Sequence, residues 1–232
     1  MAHSITDNLK AAYVKLVYGD HNRTTQVRRL LNSVLQQLQP DGVALNVGSG
    51  DGGRLHPQIL NLDIFKGENV DLVGSVEEIP IASGSIDLVI SQETLEHVSD
   101  PFLGITEIAR VLKPGGSLFL QLPFVIGYHP GPNDFWRFSK EGIVRLVESA
   151  DLSVETCEIS VGSATGFYRI SVEFWSILLT LMAPFLYKPM KAICALAFFP
   201  LKFLDAFMSL HPEKDRVAGG YIVIASKPES NA

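Results

Sequence analysis

Leu45-Asn46-Val47-Gly48-Ser49-Gly50-Asp51-Gly52-Gly53 is the stretch on which the reading of this chain turns. With Val43 and Ala44 it begins as a short apolar run, the pattern of a strand buried on both faces of a parallel sheet. Glycines directly after such a strand let the backbone approach a ligand where a Cβ would collide. Gly48, Gly50 and Gly53 satisfy the G-x-G-x-x-G pattern. A dinucleotide turn, however, must also open a helix whose N-terminus holds the pyrophosphate. Here Arg54-Leu55-His56-Pro57 leaves room for one turn at most. Asp63 follows Gly48 by only 15 residues, short of the ~20 typical for the ribose-binding acid of that fingerprint. A nucleoside ligand without a pyrophosphate fits better, and a nicotinamide oxidoreductase is disfavoured.

Outward from this turn, strand and helix patterns alternate. Residues 24–38 place Val27, Leu30, Leu31, Val34, Leu35 and Leu38 on one helical stripe. Short apolar runs predict strands over 59–63, 70–73, 86–91, 117–122, 152–161 and 220–226. Asp100 as cap and Pro101 in the first turn open a helix with Phe102, Ile105, Ile108, Ala109 and Leu112 on one face. Ser139 opens another, reaching residue 150. The alternation predicts an α/β, Rossmann-like, doubly wound sheet of seven mostly parallel strands, the last antiparallel. At 232 residues and 47% hydrophobic, the chain is one domain with a full core, not a disordered segment. Residues 1–162 carry 12 basic and 20 acidic side chains, which argues against a nucleic-acid partner. Cys157 and Cys194 show no metal or disulfide spacing. Met1 to Lys10 lack an apolar signal region, so a cytoplasmic location is expected.

Several motifs in order carry a family resemblance: Leu45 to Gly50, Leu62-Asp63, Glu77-Glu78-Ile79-Pro80, Ile86-Asp87-Leu88-Val89, Leu95-Glu96-His97-Val98 and Leu112 to Gly116. Together they resemble the class I S-adenosylmethionine-dependent methyltransferases, of the type-11-like small-molecule branch. The resemblance implies S-adenosylmethionine as cofactor. It implies that Gly48, Ser49 and Gly50 cradle its methionine part and that Asp63 accepts hydrogen bonds from the ribose hydroxyls. Ser75, Val76 and Glu77 would border the adenine, and Ser91 and Gln92 would close the site near the sulfonium. Asn46 stands where the family usually has an acid, and Ser75 where it often has Asp; both can still hydrogen-bond. His97 reads as a structural histidine close to the cofactor.

The stretch Tyr128-His129-Pro130-Gly131-Pro132-Asn133-Asp134-Phe135-Trp136-Arg137-Phe138 follows the fifth strand's carboxyl end, where open α/β sheets bind ligands. His129 is expected as a general base, with Asp134 orienting it or the acceptor. Tyr128, Phe135, Trp136 and Arg137 are the expected acceptor-binding residues. The bland alternative is a Pro-Gly-rich loop whose aromatics cover the core. No paired-carboxylate pattern stands out, so no metal is expected.

Between the last two strands lies an apolar insertion, residues 172–210, with 28 hydrophobic and five charged residues among 39. It divides the chain into a methyltransferase body (1–171), the insertion, and a closing strand with tail (211–232). The longest uncharged run, 174–187, spans ~21 Å as a helix, short of the ~30 Å hydrocarbon core of a bilayer. A helical wheel gathers Lys188, Lys191, Lys202, Asp205 and Ser209 on one narrow arc. Peripheral contact with a membrane, a lid or homodimer interface, and a shallow re-entrant hairpin are the readings it allows. The functional expectation is methyl transfer to a small-molecule, lipid-linked or glycan acceptor at a membrane surface. A non-catalytic binding or assembly module of the same fold is the alternative.

Overall fold

The structure, a computed structural model, describes residues 24–50, 56 and 58–229. Asp51, Gly52 and Gly53 of the glycine stretch, the short turn read after them, and the N-terminal ten residues lie outside the described residues.

Seven strands form one sheet: β1 (Ala44–Val47), β2 (Ile59–Asp63), β3 (Leu72–Val73), β4 (Ile86–Gln92), β5 (Leu112–Pro123), β6 (Ser153–Val161) and β7 (Gly220–Ser226), in the spatial order β3-β2-β1-β4-β5-β7-β6. β7 runs antiparallel to both neighbours, and the pairs from β3 to β5 are parallel. This is the doubly wound architecture that the alternation predicts. Side-chain alternation sorts the two faces. Leu45, Val89, Leu118 and Leu120 point to one core, beneath α2 (Pro101–Val111) and α3 (Lys140–Glu148). Ala44, Leu88, Ile90 and Phe119 point to the other, beneath α1 (Thr25–Leu35).

The helix starts follow their capping residues. Asp100 accepts from the Phe102 and Leu103 N–H groups, each at 3.0 Å, and Ser139 accepts from Gly142 at 3.2 Å. Both satisfy donors that a helix N-terminus leaves bare. The chain leaves β1 for β2 and β3 on one side, then returns to β4 on the other. That reversal opens a crevice at the carboxyl ends of β1 and β4, where open α/β sheets bind ligands.

The insertion departs from its sequence reading in two ways. It begins earlier: α4 (Ser163–Leu179) starts nine residues before 172, because Ala164, Tyr168 and Val172 make a buried stripe on it. With Cys194 and Ala195 of α5 (Tyr187–Phe198), Tyr168 and Val172 close a small core of their own. The wheel also breaks. Breaks at Pro184 and Pro200 divide the segment into separate helices, with Pro189 in the first turn of α5, so the polar arc does not face solvent as one stripe. Lys191 is buried and paired with Glu173, which also takes the Tyr187 hydroxyl. Lys202 lies 4.6 Å over the Tyr168 ring. Asp205 accepts from the Ala164 and Thr165 N–H groups at the start of α4. Lys191, Lys202 and Asp205 therefore turn inward while Lys188 and Ser209 stay exposed, and large apolar side chains turn outward: Trp175, Leu178, Leu181, Met182, Phe185, Phe203 and Phe207 among them, with Met182 99% exposed. Among the described residues, no helix is long and apolar enough to cross a membrane.

Candidate active site

The glycine turn is built by its neighbours. Gly48 has φ +66°, and a Cβ there would lie 2.2 Å from Thr94 Oγ1, which itself donates to the Val47 carbonyl at 3.1 Å. Only glycine meets both demands. Gly50, at φ +57°, has open space where its Cβ would be. The Gly48 and Ser49 N–H groups both donate to the Leu62 carbonyl, fastening the turn to β2.

Asp63, at the end of β2, meets this turn. Its Oδ2 accepts from the Gly50 N–H at 2.8 Å and its Oδ1 from the Phe65 N–H at 2.9 Å. A carboxylate oxygen accepts more than one hydrogen bond, so both retain capacity for a ligand hydroxyl. A cavity of about 390 Å³ opens here, lined by Gly48, Gly50, Leu62, Asp63, Ile64, Phe65, Val76, Glu93, His97, Val98, Gly131 and Pro132, among others. Ile64 and Phe65 are 48% and 61% exposed at its edge, apolar surface that a flat base would cover. The size and the mix of apolar walls with one carboxylate suit a small organic ligand. A larger cavity of about 560 Å³, between α1, β6 and residues 205–215, shares none of its lining residues and lacks the glycine turn. The cradle, the carboxylate and the apolar slot fit an adenosyl group.

Other residues expected at the cofactor sit behind this wall. Asn46 is buried and its Nδ2 donates to Asn61 Oδ1 at 3.2 Å. Ser75 accepts from the Glu77 N–H at 3.1 Å, while Glu77 Oε1 takes the Ser99 hydroxyl and the Asp100 N–H ahead of α2. Ser91 is fully buried. Gln92 donates to Gln121 Oε1 at 3.0 Å, and Gln121 in turn donates to Glu93 Oε1 at 3.3 Å. Of the expected cofactor residues, Gly48, Gly50, Asp63 and Val76 line the cavity.

On the side where the acceptor is expected, the loop from Gly127 to Phe138 is fastened through Asp134. Both its oxygens bond Arg137, each at 2.6 Å, and Oδ2 also accepts the His129 backbone N–H at 2.8 Å. Burial alone would raise the Asp134 carboxyl, but these donors pull it down to about 2. Asp134 thus holds the loop more closely than it holds the imidazole, whose Nδ1 lies 3.5 Å away. Trp136 donates to the Val98 carbonyl at 3.1 Å, and the Phe135 N–H to the Glu96 carbonyl at 2.8 Å. Tyr128, Phe135 and Trp136 are exposed.

His129 Nε2 points to a group that sequence reasoning missed. It lies 3.6 Å from Glu96 Oε1 and 3.9 Å from Glu93 Oε2, while His97 Nε2 lies 3.5 Å from the same Glu96 oxygen. Burial and the adjacent Glu93 carboxylate push the Glu96 carboxyl well above the usual range. The signal available in the sequence was the spacing Glu93-x-x-Glu96-His97, which a single helical turn gathers on one side. The 3₁₀ turn Leu95–His97 carries Glu96 and His97 here, and Glu93 precedes it with a left-handed backbone.

The methyltransferase domain family matches residues 45–120. A ubiquinone biosynthesis O-methyltransferase of Xanthomonas axonopodis pv. citri is 38% identical over 113 residues, covering 39% of this chain and 47% of the relative. The chain spans between a third and a half of the length of the first curated relatives it matches. Among solved structures, phosphoethanolamine N-methyltransferase 2 of Haemonchus contortus, in complex with S-adenosyl-L-methionine, superposes with TM-score 0.56 at 16% identity, covering 96% of this chain and 57% of the other. The [4+2]-cyclase SpnF superposes at 0.55 with 19% identity, covering 97% and 94%. At such identities the likeness shows the fold, and the cyclase shows that this fold serves more than one reaction. Residues 45–120 match the methyltransferase domain family, and the seven-stranded sheet they help to build has the fold of these solved structures.

Proposed function

We propose that this chain transfers a methyl group from S-adenosylmethionine to a small-molecule acceptor carried on a lipid or glycan at a membrane surface. The observation that carries the reading is the cavity between Gly48, Gly50 and Asp63, which continues to Glu93 and His97 on the acceptor side. The cofactor supplies a methyl carbon on a positively charged sulfur, which leaves with the bonding pair as an acceptor lone pair closes on that carbon. Gly48 and Gly50 hold its methionine end, Asp63 takes the ribose hydroxyls through charge-assisted bonds, and Leu62, Phe65 and Val76 enclose the base. Tyr128, Phe135 and Trp136 form the rim that receives the acceptor and excludes water.

The membrane part rests on the inverted polarity of α4, α5 and the segment after them. Glu173, Lys191, Lys202 and Asp205 are engaged on the protein side, and a broad apolar surface with the exposed Lys188 faces out. Patches of that kind on soluble proteins mark interaction sites. Residues 163–232 carry seven basic and five acidic side chains against the acidic body, which suits an anionic lipid surface. Glu173 of α4 packs against Gly127, at the base of the acceptor loop, so a lipid-docked insertion would bring that loop to the surface.

Tritium-labelled cofactor incubated with membrane-lipid and polysaccharide fractions tests the reading. Label transferred to an extractable acceptor is the expected result. Absence of transfer to every fraction, with the cofactor bound, would leave a binding module and overturn the catalytic claim.

A further inference from the structure

Glu96 is 0% exposed, and neither of its carboxylate oxygens has a hydrogen-bond partner. A buried polar side chain left in that state calls for an explanation. Around it stand two imidazoles and a second carboxylate. The ligand atoms of Glu96, His97 and His129 all lie within 4.8 Å of one another, and His129 Nε2 is likewise buried without a hydrogen-bond partner. From this cluster, which builds on the methyltransferase reading, we infer that Glu96, His97 and His129 form a divalent-cation site, with Glu93 beside it, that binds the acceptor through an oxygen atom.

Four observations support the assignment independently. First, both imidazoles are turned by backbone carbonyls. His97 Nδ1 lies 2.5 Å from the Asn133 carbonyl and His129 Nδ1 lies 3.1 Å from the Gly127 carbonyl. Each carbonyl places the proton on Nδ1 and leaves the Nε2 lone pair facing Glu96. Arg137 Nη2, 3.2 Å from His129 Nδ1, is itself taken up by Gly127 and Asp134. Metal-ligating histidines are oriented by just such outer partners. Second, the separations suit a small cation. Ligand atoms about 2.0–2.1 Å from a tetrahedral Zn²⁺ are about 3.3 Å apart. Glu96 Oε1 is 3.5 and 3.6 Å from the two imidazole nitrogens.

Third, Glu93 holds a left-handed backbone, φ +53°, a conformation costly for a residue with a Cβ and concentrated at functional sites. It sets Glu93 beside His129, with Gln121 bonded to its other oxygen. Fourth, the position is chemically useful. His97 and Glu93 also line the cofactor cavity, so the cluster stands between that cavity and the exposed aromatics of the loop. Two imidazoles and a carboxylate with a coordination position left over suit Zn²⁺ or a similar first-row cation in a catalytic setting.

The cation lowers the pKa of an oxygen bound to it. An acceptor hydroxyl in the open position gives its proton to water and stays as an oxyanion facing the cavity. The substrate class that follows is a hydroxylated acceptor, a phenol or a sugar, and the product a methyl ether. His129 then acts as a ligand, in place of the general base expected from the sequence.

The test uses the full chain, stripped with a chelator and titrated with Co²⁺ while its visible absorption is followed, then with Zn²⁺ to displace it. One equivalent bound with a tetrahedral spectrum is expected, weakened at least tenfold in both Glu96→Gln and His129→Asn. Cofactor affinity is measured in the same samples and should change less than threefold in these variants. Failure of the wild-type chain to bind either cation overturns the site. So does binding that both variants retain, since the ion then sits elsewhere. Cofactor binding without cation binding refutes this inference alone, and cation binding without cofactor binding refutes the methyltransferase reading alone. Melting curves of the variants report whether they fold, and the wild-type titration decides the matter even if they do not.

Discussion

At the scale of single residues, the turn after β1 concentrates the account. Gly48→Ala places a Cβ 2.2 Å from Thr94 Oγ1 at a positive φ, so the turn or Thr94 must move. We expect a loss of about 1–3 kcal/mol in stability and at least tenfold weaker cofactor binding. Gly50→Ala meets no neighbouring atom and pays only for its backbone, about 1–2 kcal/mol. Parallel melts and cofactor titrations check the pair, and equal behaviour would contradict the packing argument. That Gly48, Gly50 and Asp63 meet at one cavity was readable because strand, glycine turn and acid at the next strand's end form a local pattern. Asn46, Ser75 and Glu77, expected at the cofactor, bond to protein groups in the structure, partners that their place in the sequence does not reveal. The spacing of Glu93, Glu96 and His97 is visible in the sequence, but the partner they meet is not. Their grouping with His129 needs a left-handed residue after β4 and a loop that returns to the same place, His129 lying 33 residues beyond Glu96.

At the scale of elements, capping and ion pairing carry the predictions. Asp100→Ala removes the acceptor for two bare N–H groups of α2. It should cost about 1 kcal/mol, a melting shift of about 2–4 °C in a chain of this size. A shift below half a degree would show that the cap is idle. Glu107, also on α2, receives two bonds from Arg110 and one from the Ile79 N–H, and the Arg110 hydrogen bonds lower its carboxyl below the ordinary 4.5. Because the folded value lies below the unfolded one, the stabilisation is full above about pH 4.5 and fades as pH falls through the folded value. Urea melts should therefore find Glu107→Gln less stable than the parent by about 1–2 kcal/mol at pH 7, with the gap narrowing towards pH 3. A gap independent of pH would refute the ionic origin. Boundaries were legible where caps are local, as at Asp100 and Ser139. They were not where pairing is long-range: β5 begins at Leu112, ahead of the Pro-Gly-Gly stretch read as a turn, because Leu112 pairs with Ile86 and Gly115 bonds to Lys227.

At the scale of the molecule, a two-sided core carries a sheet whose crevice holds the site, and an inverted helical module flanks the acceptor loop. Hydrophobic content foretold the module, but its polarity was hidden, because a helical wheel assumes one uninterrupted helix and this segment breaks at Pro184 and Pro200. The outward apolar face makes a direct prediction. Replacing Leu181, Met182 and Phe185 together by Glu should leave the melting temperature within about 2 °C, since these side chains are exposed. The same change should abolish sedimentation with vesicles of mixed neutral and anionic lipid. A wild-type chain that stays unbound with vesicles present would contradict lipid docking, and one that forms a discrete dimer would assign the face to a second copy. Beneath all of this lies the claim that the crevice at the ends of β1 and β2 holds an adenosyl cofactor through Asp63. Calorimetric titration of the wild-type chain and of Asp63→Ala with S-adenosylmethionine tests it most directly. The account predicts one cofactor per chain and at least a tenfold loss on removing the carboxylate, as for a lost charge-assisted bond of about 1.5–3 kcal/mol. No heat of binding at millimolar cofactor, or equal affinity in the two proteins, would contradict it.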